Sequence, residues 1–345
     1  MPCASWLIAM RKNIFAFGEV MMRLQVPGYE TLMQSNQLVY SFSGTGVNIL
    51  SALATFGHQG YLVSKLPDNS LGHAAKCYVQ KLGVHTDFIA RGGDYLGMYF
   101  LENGFGPRPS KVTYSNRLSS AFNTGSIGDY QVDHFAKTAD IFHFCGISLA
   151  MNESIRDQMF MIAEKVKERG GVICFDCNFR PKLWDSYEQA RPHYRKMLSL
   201  ADIVFMNEKD ATFLLEICSD HTEREEQLKD VIPKAARLYQ ISTIAGTHRT
   251  IHQDQVHSLK GFLYTENRFT FSKSHTFPVY DRIGTGDAYV SGIIHGVASA
   301  YTPQQTVEFA AAASVLAHTT AGDTPLSTEK DIRSFLELEN HDIER

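Results

Sequence analysis

Nowhere does the 345-residue chain approach the roughly 18 consecutive apolar residues that a membrane-spanning helix needs. An excess of one charge sign is also missing: the formal net charge is -4, so no basic field invites nucleic acid or an anionic membrane. No G-x-x-x-x-G-K-[ST] segment occurs, which excludes a P-loop nucleotide site. The six cysteines make a single C-x-x-C, Cys174 and Cys177, with no second C-x-x-C or His pair to complete a metal site. These two fall in or just after a strand-like run, where residues three apart point to opposite faces. All six read as reduced, buried thiols. Internal repeats and low-complexity segments are absent. The apolar run Ala4–Met10 is too short for a signal peptide's core and cleavage site. Residues 1–12 therefore read as a disordered leader, and the cytoplasm is the expected compartment.

Hydrophobic residues make up 44% of the chain, enough for a large core in one large domain or two ordinary ones. Short apolar runs alternate with helical patterns. Ile14–Phe17, Tyr61–Leu66, Asp140–Phe144, Val172–Phe175 and Ile203–Met206 read as strands, the last three as buried parallel ones. Helices are expected over Val47–Phe56 and Gly72–Leu82, closed by Gly57 and Gly83, and over about 153–169 and 187–198. The repeated β-α-β order predicts a mostly parallel sheet with helices on both faces. Residues 21–42 and 96–122 break the rhythm: they are rich in Tyr, Phe, Val and Gly, with strand alternation. Both predict antiparallel ribbon, and together they could form a flap over the carboxyl ends of the strands, where ligands of such sheets bind. Val256–Phe271 predicts a further hairpin.

The segment with most chemical content is Asp281-Arg282-Ile283-Gly284-Thr285-Gly286-Asp287-Ala288, which opens a helical stretch. Two glycines let backbone N–H groups converge at a helix start, where the dipole is positive. Such a cradle suits a transferring phosphoryl group, and Asp287 at its mouth is placed to take a proton from an attacking hydroxyl. The plainer reading is a glycine turn with Asp287 as helix cap.

Asp-x-x-Gly-x-Gly-Asp before a helix resembles the C-terminal signature of ribokinase-like, PfkB-type carbohydrate kinases. Other segments agree in order: Gly18-Glu19-Val20-Met21-Met22-Arg23-Leu24 resembles the opening strand. Ser43-Gly44-Thr45-Gly46-Val47-Asn48 resembles the Gly-Gly-x-x-x-Asn segment, and Asn207-Glu208-Lys209-Asp210 the N-x-x-E motif, with Asp210 in place of Glu. Phe175–Trp184 and Leu316–Asp323 resemble the D-x-N-x-R-x-x-L-W and K-H-T-x-x-G-D segments of 2-keto-3-deoxygluconate kinases, with Ala317 in place of Lys.

The resemblance implies a three-layer α/β/α sandwich over residues 13–335, a small β-sheet lid from about 21–42 and 96–122, and a short tail over 336–345. It implies ATP and Mg²⁺ as cofactors, with K⁺ as a further ligand in some relatives. Asp287 would be the catalytic base beside Gly284, Thr285 and Gly286. Gly44, Tyr99, Tyr114, Arg117 and Arg180 would bind the substrate. Asn207, Gly246, Arg249, Gly286 and His318 would face the nucleotide, and Asp210 would act on Mg²⁺ indirectly. Asp281 matches a position that helps bind a monovalent cation in some relatives; bonding to its own turn's amides is the equal alternative. Arg180 and Arg117 also suit a carboxylate on chemical grounds, because guanidinium binds it bidentately, although either could be solvated. Tyr114-Ser115-Asn116-Arg117 is longer than the usual Y-x-R spacing, and Ala245–Thr250 departs from a glycine-rich K-x-G-x-x-G stretch. The expected activity is phosphorylation of a primary hydroxyl of a sugar acid, 2-keto-3-deoxygluconate foremost. A kinase of a neutral ketose such as fructose or of a nucleoside, and a non-catalytic sugar-acid sensor, are the other readings. Exposed strand edges on the lid suggest a homodimer through it.

Overall fold

The first strand, β1 (Asn13–Phe17), is apolar from Ile14 onward, and all four of those side chains are buried. Successive side chains of a strand leave on opposite faces. Phe15 and Phe17 pack with Phe142, Phe144 and Phe175, whereas Ile14 and Ala16 pack with Leu50, Leu53 and Ile293. A sheet with two buried faces needs cover on both, and helices supply it.

These statements rest on a computed structural model that describes residues 11–253 and 256–337. Most of the expected leader, Cys3 and most of the expected tail lie outside the described residues. The strands after β1 are β2 (Met21–Gln25), β3 (Val39–Ser43), β4 (Gln59–Leu66), β5 (Ile89–Arg91), β6 (Met98–Glu102) and β7 (Lys111–Ser115). Then come β8 (Ile141–Cys145), β9 (Val172–Asp176), β10 (Ile203–Phe205), β11 (Thr243–Ile251), β12 (Val256–Thr265), β13 (Arg268–Phe271) and β14 (His275–Pro278). The large sheet runs β13-β12-β11-β10-β9-β8-β1-β4-β5, with β14 also on β12. From β11 to β5 every pairing is parallel, and only the β12 edge is antiparallel. Helices Glu153–Glu168, Tyr187–Leu200 and Arg224–Tyr239 cover one face. Helices Thr45–Thr55, Thr285–Ala298 and Pro303–Ala317 cover the other. This is the expected α/β/α sandwich with a mostly parallel sheet.

A second, four-stranded sheet, β3-β2-β6-β7, is built from the two segments in which a small lid sheet is expected. The ribbons β2–β3 and β6–β7 are antiparallel, but they join through a parallel β2–β6 pairing. The reason lies in the main sheet. Strands β1 and β5 run in the same direction there, and each leads into its lid strand with no helix between.

Local chemistry sets the helix boundaries. Asn69 accepts from the Gly72 amide at 3.1 Å, so the second long helix starts at Ser70, ahead of the expected Gly72. Gly57 ends the first long helix with φ 91. Cys174 and Cys177 are buried on opposite faces of the sheet as free thiols, Cys174 among one cluster and Cys177 in the other. The burial expected of all six cysteines fails at Cys77 and Cys218, which are exposed. Cys77 lies on the outer side of an amphipathic helix and Cys218 in the loop after another. No helix among the described residues is long and apolar enough to cross a membrane.

His143, on β8, is 1% exposed, and neither ring nitrogen has a hydrogen-bond partner among the described residues. Burial pushes its pKa from 6.5 down to about 3, so the ring is neutral in the fold. A depressed histidine pKa gives stability that is present above the unfolded value and is lost as pH falls toward the folded one. We expect His143→Leu to raise the urea midpoint at pH 7, by about 1 kcal/mol of stability. It should also flatten the loss of stability between pH 6.5 and 4, measured as urea midpoints across that window.

Candidate active site

The carboxyl ends of β1, β9, β10 and β11 face the lid across a cleft of about 600 Å³. Sheets of this kind bind ligands at that end. Tyr99, Tyr114 and Arg117 line it from the lid, and Arg180, Asn207, Asp210 and Gly246 line it from the sheet. Gly44, Gly284, Gly286 and Asp287 complete it.

Gly284 is the N-cap of helix Thr285–Ala298, with φ 78 and ψ -7. A Cβ there would overlap the Asp323 carbonyl, so the turn requires glycine twice over, by conformation and by space. No side chain caps this helix, and its first-turn amides have no intrahelical acceptors, leaving them for a ligand. Thr285 is buried, and its hydroxyl donates to the Arg282 carbonyl at 3.0 Å, bracing the turn. Asp287 is therefore not the cap. It sits in the helix's first turn, 7% exposed, and its Oδ2 accepts from Asn48 Nδ2 at 2.7 Å. Burial pushes its pKa up to about 7, against the Asn48 hydrogen bond and the Arg180 charge that pull it down. A carboxylate near neutrality is matched to proton abstraction.

Asp176 ends β9 beside this group. Burial and then the Asp287 charge push it up to about 7, and Arg180 opposes both. Asp210 is raised to about 6 by burial. Arg180 bonds only to the carbonyls of Asn178, at 3.4 Å, and Phe179, at 3.2 Å, and makes no carboxylate ion pair among the described residues. Its charge remains available to a ligand.

Asn207 and Asp210 form a capping box on helix Glu208–Leu215. Asn207 Oδ1 accepts from the Lys209 and Asp210 amides at 2.8 and 3.2 Å, and Asp210 Oδ2 accepts from the Asn207 amide at 3.0 Å. Asp210 supports this box with the shorter side chain in place of Glu. Gly44 caps helix Thr45–Thr55, where a Cβ would overlap the Glu19 carbonyl.

On the lid, Arg117 Nε donates to Glu19 Oε2 at 2.9 Å, and its guanidinium lies 4.8 Å from the centre of the Tyr114 ring. Within the longer Tyr114–Arg117 spacing, Asn116 has φ 55, a left-handed turn just before the arginine. Glu19 also accepts from Ser120 Oγ at 2.7 Å and Asn123 Nδ2 at 3.2 Å, so Arg117 is held by a buried, anchored carboxylate. Tyr99 is buried, its hydroxyl 3.0 Å from Ser43 Oγ and 2.5 Å from Asp323 Oδ2.

Besides the buried Thr285, three expected residues do not line the cleft. His318 is fully buried, its Nδ1 2.7 Å from the Ser314 carbonyl and its ring packed on Phe277, so it is a core residue. Arg249 lies farther along β11. The stretch Ala245–Thr250 is part of that strand, because β12 pairs with it throughout. Asp281 Oδ1 accepts from the Arg282 and Ile283 amides at 2.7 and 3.1 Å, the turn-amide alternative.

The sequence matches the pfkB family of carbohydrate kinases over residues 11–243. The chain belongs to that family. It is 39% identical to a protein from Enterococcus faecalis provisionally assigned as a 2-keto-3-deoxygluconate kinase. The alignment spans 97% of this chain and 99% of that one, with a TM-score of 0.92. The 2-dehydro-3-deoxygluconokinase of Thermotoga maritima is 31% identical over 94% of this chain and 98% of its own, with a TM-score of 0.90. The 2-dehydro-3-deoxygalactonokinase of Haloferax volcanii is 26% identical over 97% of this chain and all of its own.

For this carbohydrate kinase, sequence reading missed three cleft residues: Asn48, which bonds Asp287; Asp176; and Glu19, which holds Arg117. All three lie inside the segments that carry the family resemblance, which was the available signal.

Proposed function

We propose that this kinase transfers the γ-phosphoryl group of ATP to the primary hydroxyl of a 2-keto-3-deoxy sugar acid. The carrying observation is the pairing of Asp287, held near neutrality at the uncapped helix start, with the unpaired Arg180 guanidinium in the same cleft. Asp287 takes the proton of the sugar's primary hydroxyl as its oxygen attacks phosphorus in line. The Gly284–Gly286 amides bond the oxygens of the transferring phosphoryl group. Arg180, with Arg117 and Tyr114 from the lid, binds the sugar's carboxylate end, and Glu19 fixes the Arg117 fork.

The nucleotide phosphates lie toward Asn207 and Gly246. An adjoining cavity of about 690 Å³, which shares Arg282 with the cleft, leaves room for the rest of the nucleotide. The all-oxygen donors here fit a hard divalent cation held mainly by phosphates and water, with Asp210 acting on it through water. Bound there, Mg²⁺ neutralises phosphate charge. The enzyme is cytoplasmic in this reading and pairs through its lid, where Leu38, Val39, Tyr40 and Leu118 are exposed.

Two measurements follow. ADP release from ATP and Mg²⁺ should be strong with 2-keto-3-deoxygluconate or its galactonate epimer and weak with fructose, ribose and nucleosides. Preference for a neutral sugar would overturn the sugar-acid assignment. Second, kcat/KM should fall on the acid side of about pH 7 as Asp287 protonates. Asn48→Ala removes the hydrogen bond that lowers that pKa, so the acid limb of the profile should move to higher pH. An unmoved limb would mean that another group sets it.

A further inference from the structure

Arg23, on the lid, carries a charge that reaches two acidic residues beside the catalytic turn. It lies on β2, 2% exposed, and its guanidinium pairs with Asp323 and with Asp281, the latter at 3.6 Å. It also bonds Gln25 on its own strand. Both acidic partners belong to the cradle. Asp281 Oδ1 accepts from the amides of Arg282 and Ile283, and the Asp323 carbonyl packs directly on Gly284. Asp281 Oδ2 accepts from the Gly322 amide at 3.2 Å, which ties the two acidic segments together. Asp323 is further held by Tyr99, itself bonded to Ser43.

The resemblance implies a monovalent cation at Asp281, and the residues present do not fit one. Both oxygens of Asp281 already have partners, and the positive charge beside Oδ2 is a buried guanidinium. A second cation against that guanidinium would be repelled at short range with little water to screen it.

We infer that Arg23 is a built-in cation, a positioning residue that supplies from the lid the charge otherwise brought by a bound monovalent ion. Two acidic residues flank the turn whose amides receive a phosphoryl group: Asp281 bonds the amides just ahead of it, and the Asp323 backbone packs on Gly284. Uncompensated, they would oppose the phosphoryl group's negative charge and pull the turn toward solvation. The guanidinium offsets them and fixes the turn at its active spacing. Because Arg23 is carried by β2, it also joins lid and turn into one unit. The inference rests on the turn being the phosphoryl cradle, but not on which sugar is used.

The test uses the full-length enzyme with two independent readouts. The first needs no substrate: crystals soaked in Rb⁺ should show no anomalous peak at Asp281 in the wild type, and a peak there in Arg23→Ala. A wild-type peak at Asp281 overturns the inference. The second is ADP release in K⁺ and in tetramethylammonium. The wild-type rates should agree within about twofold, since the charge is covalently supplied. Arg23→Ala should lose roughly 10- to 100-fold in kcat with little change in the KM for ATP. Added guanidinium or K⁺ should recover part of that loss, and Arg23→Lys should retain more activity than Arg23→Ala. Wild-type dependence on K⁺, or an Arg23→Ala loss that no cation relieves while Arg23→Lys is equally impaired, contradicts it. Should Arg23→Ala not fold, the wild-type Rb⁺ and tetramethylammonium results decide alone. Failure of the sugar-acid reading would appear in the substrate panel and leave the Rb⁺ result untouched.

Discussion

Replacing Asp287 with Asn is expected to cut kcat by roughly 10³-fold, about 4 kcal/mol of transition-state stabilisation, while ATP affinity and folding change little. The substitution keeps size and shape at a site where the neighbouring hydrogen bond is to Asn48 Nδ2, and an amide oxygen can accept that bond as the carboxylate does. What is lost is the ability to take a proton. Folding should survive, since Asp287 neither caps the helix nor forms an ion pair among the described residues. Removing a carboxylate whose pKa burial has already raised to about 7 also relieves a desolvated charge. A thermal midpoint equal to or above the wild type, together with the lost turnover, is the expected pattern. Turnover within tenfold of wild type would remove Asp287 from the base's role.

Arg180→Leu is the second large effect. A charge-assisted hydrogen bond contributes about 1.5–3 kcal/mol, so loss of the guanidinium should raise the KM for a sugar acid by roughly 10- to 100-fold. Any slow turnover of a neutral sugar should keep its KM. Electrostatics adds a second signature. Arg180 lowers the pKa of both Asp287 and Asp176, and with it gone both rise further. The acid limb of kcat/KM should then move to higher pH, the same direction as for Asn48→Ala but joined to the KM change that Asn48→Ala lacks. Full kinetics for one acidic and one neutral sugar across pH 5.5–8.5 separates the two variants. An unchanged KM for the sugar acid would place its carboxylate elsewhere.

What the sequence disclosed was local. The turn Gly284–Asp287 is legible because its conformation and its chemistry lie within four successive residues, and Arg180 because it follows a strand whose apolar run is plain. The mostly parallel sheet with helices on both faces was legible because strand and helix patterns alternate. What stayed hidden depends on meetings of distant segments. Asn48 and Asp287 are 239 positions apart, and Glu19 and Arg117 are 98. No pattern within a window shows that a glutamate in the first strand-to-lid link will hold an arginine just past the last lid strand. His318 shows the opposite error. It follows a helix, Pro303–Ala317, that is buried nearly all round, so periodicity could not say which way the next residue faces. The join between the two lid ribbons was also out of reach, because its direction is inherited from the parallel main sheet rather than from either ribbon.

The most direct measurement is a proton-coupled ³¹P spectrum of the product made from ATP, Mg²⁺ and 2-keto-3-deoxygluconate. Phosphate on a primary hydroxyl couples to the two protons of a CH₂ group and gives a triplet, and its appearance should match ADP release one for one. A doublet, which marks a secondary hydroxyl, or inorganic phosphate with no phosphoester would contradict the account.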